Sequence, residues 1–92
     1  YPNPCRGILN IPYVIPFGTS DQIIFEIFDE LGRLVWKKNL EANHSGMNRF
    51  VWDGKGRTGQ KLSAGFYLIR FTSRNGSGKV TSQFHSKFTF LP

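Results

Sequence analysis

The sequence has one cysteine and two histidines among its 92 residues, so several kinds of chemistry lack the side chains that they need. Cys5 alone cannot form an internal disulfide bond, and a single thiol also argues against a metal cluster. No apolar run approaches the roughly 20 residues that a helix needs to cross a bilayer, so the sequence predicts no membrane span. It therefore predicts neither a metal site nor any other cofactor site.

The chain also has neither an N-terminal Met nor the charged and apolar regions of a secretory signal peptide. Its length is that of one domain, slightly short of the usual size. We expect residues 1–92 to be a single domain that forms the C-terminal module of a larger protein.

Acidic residues are missing from residues 54–92, which hold seven Lys and Arg residues. Residues 1–53 hold five basic and six acidic residues, a balance of −1 against +7 for the rest. This asymmetry predicts a positive surface that attracts an anionic partner. The alternative is a solvated surface that keeps the domain soluble.

Apolar and polar residues alternate with a period of two along most of the chain, which indicates β-strands. The predicted strands cover residues 8–14, 23–28, 33–40, 48–52, 66–73 and 79–91, with turns at 29–32 and 75–78 and a polar loop at 41–47. Pro12 cannot donate a backbone hydrogen bond, so its strand should lie at a sheet edge. Six or seven short strands without a long helix predict an all-β fold, an antiparallel β-sandwich.

Catalytic residues are not indicated. His44 lies in a polar loop and His85 on the outward side of the last predicted strand, and neither has a nucleophile motif nearby. Asp29 and Glu30 fall in a turn where water surrounds them, so we interpret them as turn residues. We therefore predict no enzyme. No RNA-binding or zinc pattern is present, and most aromatic residues are predicted to face the core, so we also predict no nucleic-acid partner.

The glycine-rich segment 53–59 is the candidate for an ion or phosphate site. A calcium loop needs oxygen ligands at alternate positions, but Lys55 and Arg57 occupy the positions that follow Asp53. A phosphate loop needs lysine after its last glycine and a helix beyond it, whereas Gln60 follows Gly59 and a strand is predicted next. We therefore interpret this segment as a basic turn.

Surface aromatic residues suggest a further candidate site. Trp36 shares a predicted strand side with Lys38, and Phe66 shares one with Arg70, so an apolar patch on the outside of the sandwich is expected. Such a patch suits either a polysaccharide or an adjacent domain of the same chain. Together with the basic turn, this gives the partner-binding candidates Lys55, Arg57, Lys61, Arg70, Trp36 and Phe66.

Four segments in order along the chain carry a family resemblance. They are Tyr1-Pro2-Asn3-Pro4, the strand and turn from Ile23 through Asp29 and Gly32 to Val35, the loop from Trp52-Asp53-Gly54 to Gly59, and Ala64-Gly65 with Tyr67. Together they resemble the C-terminal immunoglobulin-like domain that flagellar hook-capping proteins share with the type A sorting domains of the type IX secretion system. Gly56 departs from the acidic residue that members often carry there.

The resemblance implies a seven-stranded immunoglobulin-like sandwich at the C-terminus of a secreted bacterial protein that is exported through the periplasm to the outside or the cell surface. Its implied partner is the outer-membrane secretion machinery, and the terminal strand, residues 80–92, would carry part of the signal. An anionic cell-surface glycan is the alternative partner. The alternatives are an accessory module that binds carbohydrate or a neighbouring catalytic domain, and a structural module of the hook-capping type.

The same motifs can be interpreted without the family, as determinants of the fold. Trp52 should anchor a strand end in the core, and Tyr67 should bury its ring while its hydroxyl bonds nearby backbone, as in a tyrosine corner. Glycines permit the turns between them. The predicted fold-determining residues are Trp52, Asp53, Gly54, Gly59, Gly65, Tyr67, Asp29 and Gly32.

Overall fold

The structure is a computed structural model that describes residues 5–15, 22–41 and 46–92. It contains the strands β1 (Cys5–Arg6), β2 (Leu9–Ile15), β3 (Gln22–Asp29), β4 (Leu34–Glu41), β5 (Gly46–Trp52), β6 (Gly65–Arg74) and β7 (Val80–Leu91). None of these residues belongs to a helix that could cross a membrane. The motif at residues 1–4 and the predicted loop residue His44 lie outside the described residues.

The strands form two sheets. Five strands pair in the order β1-β7-β6-β3-β4, and β2 pairs with β5 in a second sheet. All pairs are antiparallel except β1 with β7, which is parallel. The predicted all-β antiparallel sandwich is thus confirmed. Pro12 lies in one of only two strands of the small sheet, where each strand has an open edge that tolerates a missing donor.

Aromatic and branched side chains from both sheets fill the space between them. Phe25 of β3 and Phe50 of β5 stack with ring centroids 4.0 Å apart, which joins the two sheets directly. Near the other end of the core, Trp52 contacts the rings of Tyr67 and Phe90. The buried core consists of Leu9, Ile11, Ile23, Phe25, Ile27, Phe50, Trp52, Tyr67, Ile69, Phe71, Phe88 and Phe90. In β2, β3 and most of β6, buried residues alternate with more exposed ones, which agrees with the period of two in the sequence.

Several strand bounds differ from the sequence prediction, and Glu41, expected in the loop, is the last residue of β4. Gly46 and Met47 were expected in a loop but belong to β5, because Gly46 pairs with Ile15 and Met47 with Val14. The short strand β1 was not predicted. Its two residues pair with Phe90 and Leu91 at the far end of the chain, and two residues cannot show a periodic pattern.

The predicted outward position of Trp36 is wrong. Trp36 and Lys38 do share a side of β4, but it is the inner side, because Trp36 lies opposite the fully buried Ile27 and Lys38 opposite the fully buried Phe25. Its ring packs against the core, 5.4 Å from the ring of Phe50. Trp36 therefore does not share an outer patch with Phe66.

Candidate functional site

The glycine-rich turn, residues 53–61 and hereafter the basic loop, begins at a buried anchor. The indole of Trp52 is completely buried, and its Nε1 donates a 2.9 Å hydrogen bond to the carbonyl oxygen of Lys55. The Asp53 carboxylate accepts a 3.1 Å hydrogen bond from the backbone N–H of Lys55. The carboxylate therefore bonds the backbone of its own turn, as a short turn-forming side chain does.

Gly54 is the point at which the basic loop packs against the backbone of another segment. Its φ is +80°, and a Cβ atom at this position would lie 2.7 Å from the carbonyl oxygen of Gly7 and 2.7 Å from Cζ of Phe90. No side chain fits there without displacing backbone. Gly59, with φ of +82°, turns the chain again but has open space around it.

Backbone and side-chain hydrogen bonds hold the tip of the basic loop. The N–H of Gly56 donates to the carbonyl oxygen of Gln60, and both the N–H and the hydroxyl of Thr58 donate to Oε1 of Gln60. The N–H of Arg57 donates to the carbonyl oxygen of Val35 in β4, 3.0 Å away. The loop is thereby fixed against the edge of the five-stranded sheet.

Three cations project from this fixed backbone. Lys55 and Lys61 face each other in an isolated antiparallel bridge, and Arg57 lies between them in sequence. All three residues are exposed, and none forms an ion pair with the residues that the structure describes. Like charges held opposite each other repel, so a nearby anion would relieve this repulsion.

The basic loop has the wrong side chains to hold a metal ion. Its one carboxylate, on Asp53, already accepts a backbone hydrogen bond, and the neighbouring ligand positions are cationic. Within residues 5–15, 22–41 and 46–92, no three His, Cys, Asp or Glu side chains come together. The side chains of the basic loop suit an anion better than a cation.

Tyr67 connects the basic loop to β6. Its ring is buried between Trp52 and Phe88, and its hydroxyl donates a 2.7 Å hydrogen bond to the carbonyl oxygen of Ser63. The acceptor lies four residues upstream, the geometry of a tyrosine corner. Gly65 is the first residue of β6 and pairs with Phe90.

The turn between β3 and β4 lies beside the basic loop. The Asp29 carboxylate accepts hydrogen bonds from the N–H groups of Leu31 and Arg33 and from Nε of Arg33, at 2.8–3.0 Å. Gly32 supplies the positive φ of +82° that closes the turn. The hydrogen bond from the backbone N–H of Arg33 is the main reason why the pKa of Asp29 lies below its ordinary value. The side chain of Arg33 lowers this pKa further.

A groove, hereafter the outer groove, runs across the outside of the five-stranded sheet next to this turn. It encloses about 490 Å³ and is lined by Phe28, Asp29, Glu30, Gly32, Phe66, Tyr67, Leu68, Arg70 and Lys87. Phe66 is 49% exposed, which is unusual for so large an apolar side chain. The predicted candidates Phe66 and Arg70 therefore lie in one groove.

Two cations lie over aromatic rings in the outer groove. The Arg70 guanidinium lies 4.8 Å from the ring centroid of Phe28 and forms a 2.9 Å ion pair with Glu26. The Lys87 ammonium lies 4.4 Å from the ring centroid of Phe66. Sequence reasoning missed Phe28 and Lys87. Both lie opposite Leu68, one on each neighbouring strand, and the pattern of a single strand does not show which residues of other strands lie opposite it.

A second groove, of about 670 Å³, lies between the β3–β4 turn and the chain from Arg57 to Tyr67. Both Arg57 and Phe66 line it, so the basic loop and the outer groove are continuous through this space.

Not all of the basic residues lie near the basic loop and the outer groove. Arg74 and Lys79 flank the β6–β7 turn at the other end of β6, so the positive charge predicted for residues 54–92 is divided between two ends.

The two packed sheets, the buried Trp52 and the tyrosine corner define an immunoglobulin-like β-sandwich domain. The chain belongs to the FlgD Ig-like domain family, whose model matches residues 15–77. Domains of this family are typically non-catalytic.

Among solved structures, dimeric latent PorU from Porphyromonas gingivalis is similar in fold over 99% of this chain, with a TM-score of 0.77 and 24% sequence identity. The matched region is 9% of the PorU chain, so this chain spans a small fraction of that protein. No curated protein matches the sequence.

Proposed function

We propose that this domain is a non-catalytic C-terminal sorting and surface-display module of a secreted bacterial protein. The observation that carries the proposal is that essentially the whole chain is similar in fold to a small part of a much larger protein, PorU. This chain is itself a domain of the FlgD Ig-like family. A domain similar to one small part of a long chain, whose described residues include no group of three His, Cys, Asp or Glu side chains that could hold a metal ion, suits recognition better than metal-dependent chemistry.

The basic loop is the part of the surface that best suits recognition of the folded domain. Its backbone is fixed by hydrogen bonds before any partner binds, so little backbone conformational entropy is lost when a partner engages Lys55, Arg57 and Lys61. The partner class that fits three exposed cations is an anionic surface, either of the outer-membrane secretion machinery or of a cell-surface glycan. This function places the protein outside the cell or on its surface, after passage through the periplasm.

Export of a reporter tests the proposal. Residues 1–92 are fused to the C-terminus of a periplasmic reporter in a bacterium that has the type IX secretion system, and reporter activity is measured in periplasm, on the surface and in the medium. We expect the reporter to leave the periplasm in the wild-type strain and to remain there in a strain that lacks the translocon. A reporter that stays periplasmic in both strains overturns the proposal.

The outer groove favours a second candidate function, that of an accessory module that binds carbohydrate or a neighbouring domain. Its exposed Phe66 offers a stacking surface, and the surrounding Glu30 and Lys87 offer an acceptor and a donor for hydroxyl groups. Binding to an array of neutral and acidic glycans tests the carbohydrate version. We expect Phe66→Ala to abolish any binding, and an array without signal for the wild-type domain rules this version out.

A further inference from the structure

Two turns at opposite ends of the five-stranded sheet have the same hydrogen-bond pattern. They are residues 29–33, hereafter the Asp29 turn, and residues 75–79, hereafter the Asn75 turn. In both, the first residue donates its N–H to the carbonyl oxygen of the fifth, and the fourth donates its N–H to the carbonyl oxygen of the first, at 2.9–3.0 Å. The fourth residue is a glycine, with φ of +82° in the first turn and +84° in the second. The two turns therefore share one backbone arrangement.

The first side chain of each turn accepts the same backbone hydrogen bonds. Oδ1 of Asp29 accepts from the N–H groups of the third and fifth residues of its turn, and Oδ1 of Asn75 does the same in its own, at 2.9–3.0 Å. The fifth residue is cationic in both turns, Arg33 in one and Lys79 in the other. The first position thus holds a carboxylate in one turn and an amide in the other, and the Asp29 turn shows that this arrangement suits a carboxylate.

The hydrogen bonds of Asn75 activate its side-chain amide. The hydroxyl of Ser77 donates a third hydrogen bond to Oδ1 of Asn75, at 2.8 Å. Donors that already point at an oxygen atom stabilise the negative charge that develops there when a nucleophile attacks the adjacent carbon. Nδ2 of Asn75 forms no hydrogen bond with the residues that the structure describes, so no contact with them holds this nitrogen back as a leaving group.

The nucleophile is the backbone nitrogen of Gly76. Asn75 is the one asparagine of the sequence that a glycine follows, and the lack of a Cβ atom lets this nitrogen approach Cγ of Asn75 without hindrance. Gly76 is exposed, and a Cβ atom there would meet no atom within 4 Å beyond its chain neighbours. Its N–H forms no backbone hydrogen bond with the described part of the chain. Hydroxide from the solvent can therefore reach this N–H.

We propose that Asn75 is a site of spontaneous deamidation in the folded domain, and that the Asn75 turn is stabilised when Asn75 becomes Asp. Hydroxide removes the proton from the N–H of Gly76, and this nitrogen forms a bond to Cγ of Asn75. The bond between Cγ and Nδ2 breaks, and the amide nitrogen takes up a proton and leaves as ammonia. Water then opens the five-membered imide at Cγ to give Asp, or at the backbone carbonyl to give a β-linked residue. The reaction consumes water, releases ammonia and transfers no electrons.

The product changes the charge at this end of the sandwich. Residues 54–92 contain no acidic residue, so an Asp at position 75 would be the first. A carboxylate accepts stronger hydrogen bonds from N–H groups than an amide oxygen does. Lys79 stands at the position that Arg33 occupies in the Asp29 turn, so the new carboxylate also has a cation in its own turn. The inference does not depend on the proposed function.

Peptide mapping of the folded chain 1–92 tests the reaction. The chain is incubated in mildly alkaline buffer and digested with trypsin, which cuts after Arg74 and Lys79 and releases the peptide 75–79. We expect the mass of this peptide to rise with time by the difference between an amide NH2 and a hydroxyl group, above the background of a sample that was not incubated. Other peptides that contain asparagine should keep their mass.

Two neighbouring variants test the roles of the turn residues. Gly76→Ala should slow the reaction roughly tenfold, because the added methyl group hinders the approach of the nitrogen to Cγ. The open space at Gly76 and the absence of a positive φ there allow this variant to fold. Ser77→Ala removes one donor to Oδ1 and should slow the reaction about fivefold. A rate that neither variant lowers overturns the assignment of these roles.

Tyr67→Phe separates reaction in the folded turn from reaction after unfolding. Tyr67 lies at the other end of β6, and loss of its hydrogen bond to Ser63 should raise the unfolded fraction about fivefold. We expect the deamidation rate to stay unchanged, and a fivefold rise overturns the proposal. A peptide 75–79 that keeps its mass in the folded chain but gains mass in urea also overturns it, because the turn then protects Asn75.

The variant Asn75→Asp tests whether the turn accommodates the product. We expect its urea midpoint at neutral pH to lie above that of the wild type, whereas Asn75→Ala, which removes all three hydrogen bonds to Oδ1, should lie below it. A midpoint of Asn75→Asp that does not exceed the wild-type value overturns the second part of the proposal.

Discussion

At the scale of single residues, the hydroxyl of Tyr67 is the polar end of a buried ring, and its hydrogen bond to Ser63 ties the end of the loop region to β6. Tyr67→Phe keeps the ring and removes this bond, so we expect the free energy of unfolding to fall by about 1 kcal/mol. Urea denaturation measures the change. Tyr13→Phe is the control, because the Tyr13 hydroxyl bonds no described residue; similar losses in both variants would contradict the assignment.

Gly54 and Gly59 share a positive φ but differ in their surroundings, which makes them a matched pair. Gly59→Ala has only the backbone cost of a left-handed conformation, about 1–2 kcal/mol. In Gly54→Ala the new methyl group also meets the carbonyl of Gly7 and the ring of Phe90, and such overpacking adds about 1–3 kcal/mol. Denaturation of both variants should therefore rank Gly54→Ala as clearly less stable, and equal losses would show that the contact is relieved at no cost.

At the scale of elements, the Asp29 turn makes stability depend on pH. The pKa of Asp29 is lowered in the folded state, chiefly by the hydrogen bond from the N–H of Arg33. The ionised Asp29 therefore stabilises the fold at pH values above the unfolded pKa of about 3.9, and this stabilisation is lost as pH falls through the lower folded pKa. We expect the urea midpoint of the wild type to fall more than that of Asp29→Asn between pH 6 and pH 2.5, values chosen to bracket about 4. Glu30→Gln should retain the wild-type drop, since Glu30 forms no hydrogen bond with the described residues.

The limits of sequence reasoning are also visible at this scale. Alternation predicted β2, β3 and β6 as strands, because each has one face in the core and the period of two follows from strand geometry. It failed for Trp36, because Lys38 suggested an outer side, whereas both residues lie opposite buried residues of β3 and Lys38 is exposed only because β4 is an edge strand. Lys87 and Phe28 were missed as neighbours in the outer groove, because register is a property of two strands, not of one.

At the scale of the whole molecule, the proposed function predicts that the position of positive charge matters more than its total. If the basic loop is the recognised surface, the triple variant Lys55→Glu, Arg57→Glu and Lys61→Glu should abolish export of the reporter. The control triple variant Lys38→Glu, Arg74→Glu and Lys79→Glu changes the net charge equally and should be exported. Fractionation of the reporter distinguishes them, and loss of export in both variants would assign the effect to net charge.

The parallel pairing of β1 with the end of β7 has a mechanical consequence. Cys5 lies beside Phe90 and Arg6 beside Leu91, and the N–H of Gly7 donates to the carbonyl oxygen of Leu91. Because the two strands run in the same direction, a pulling force on residue 5 and residue 91 acts along the strands in opposite senses. The force then shears all of these hydrogen bonds together instead of breaking them one after another, so the domain resists extension when it is held at both ends.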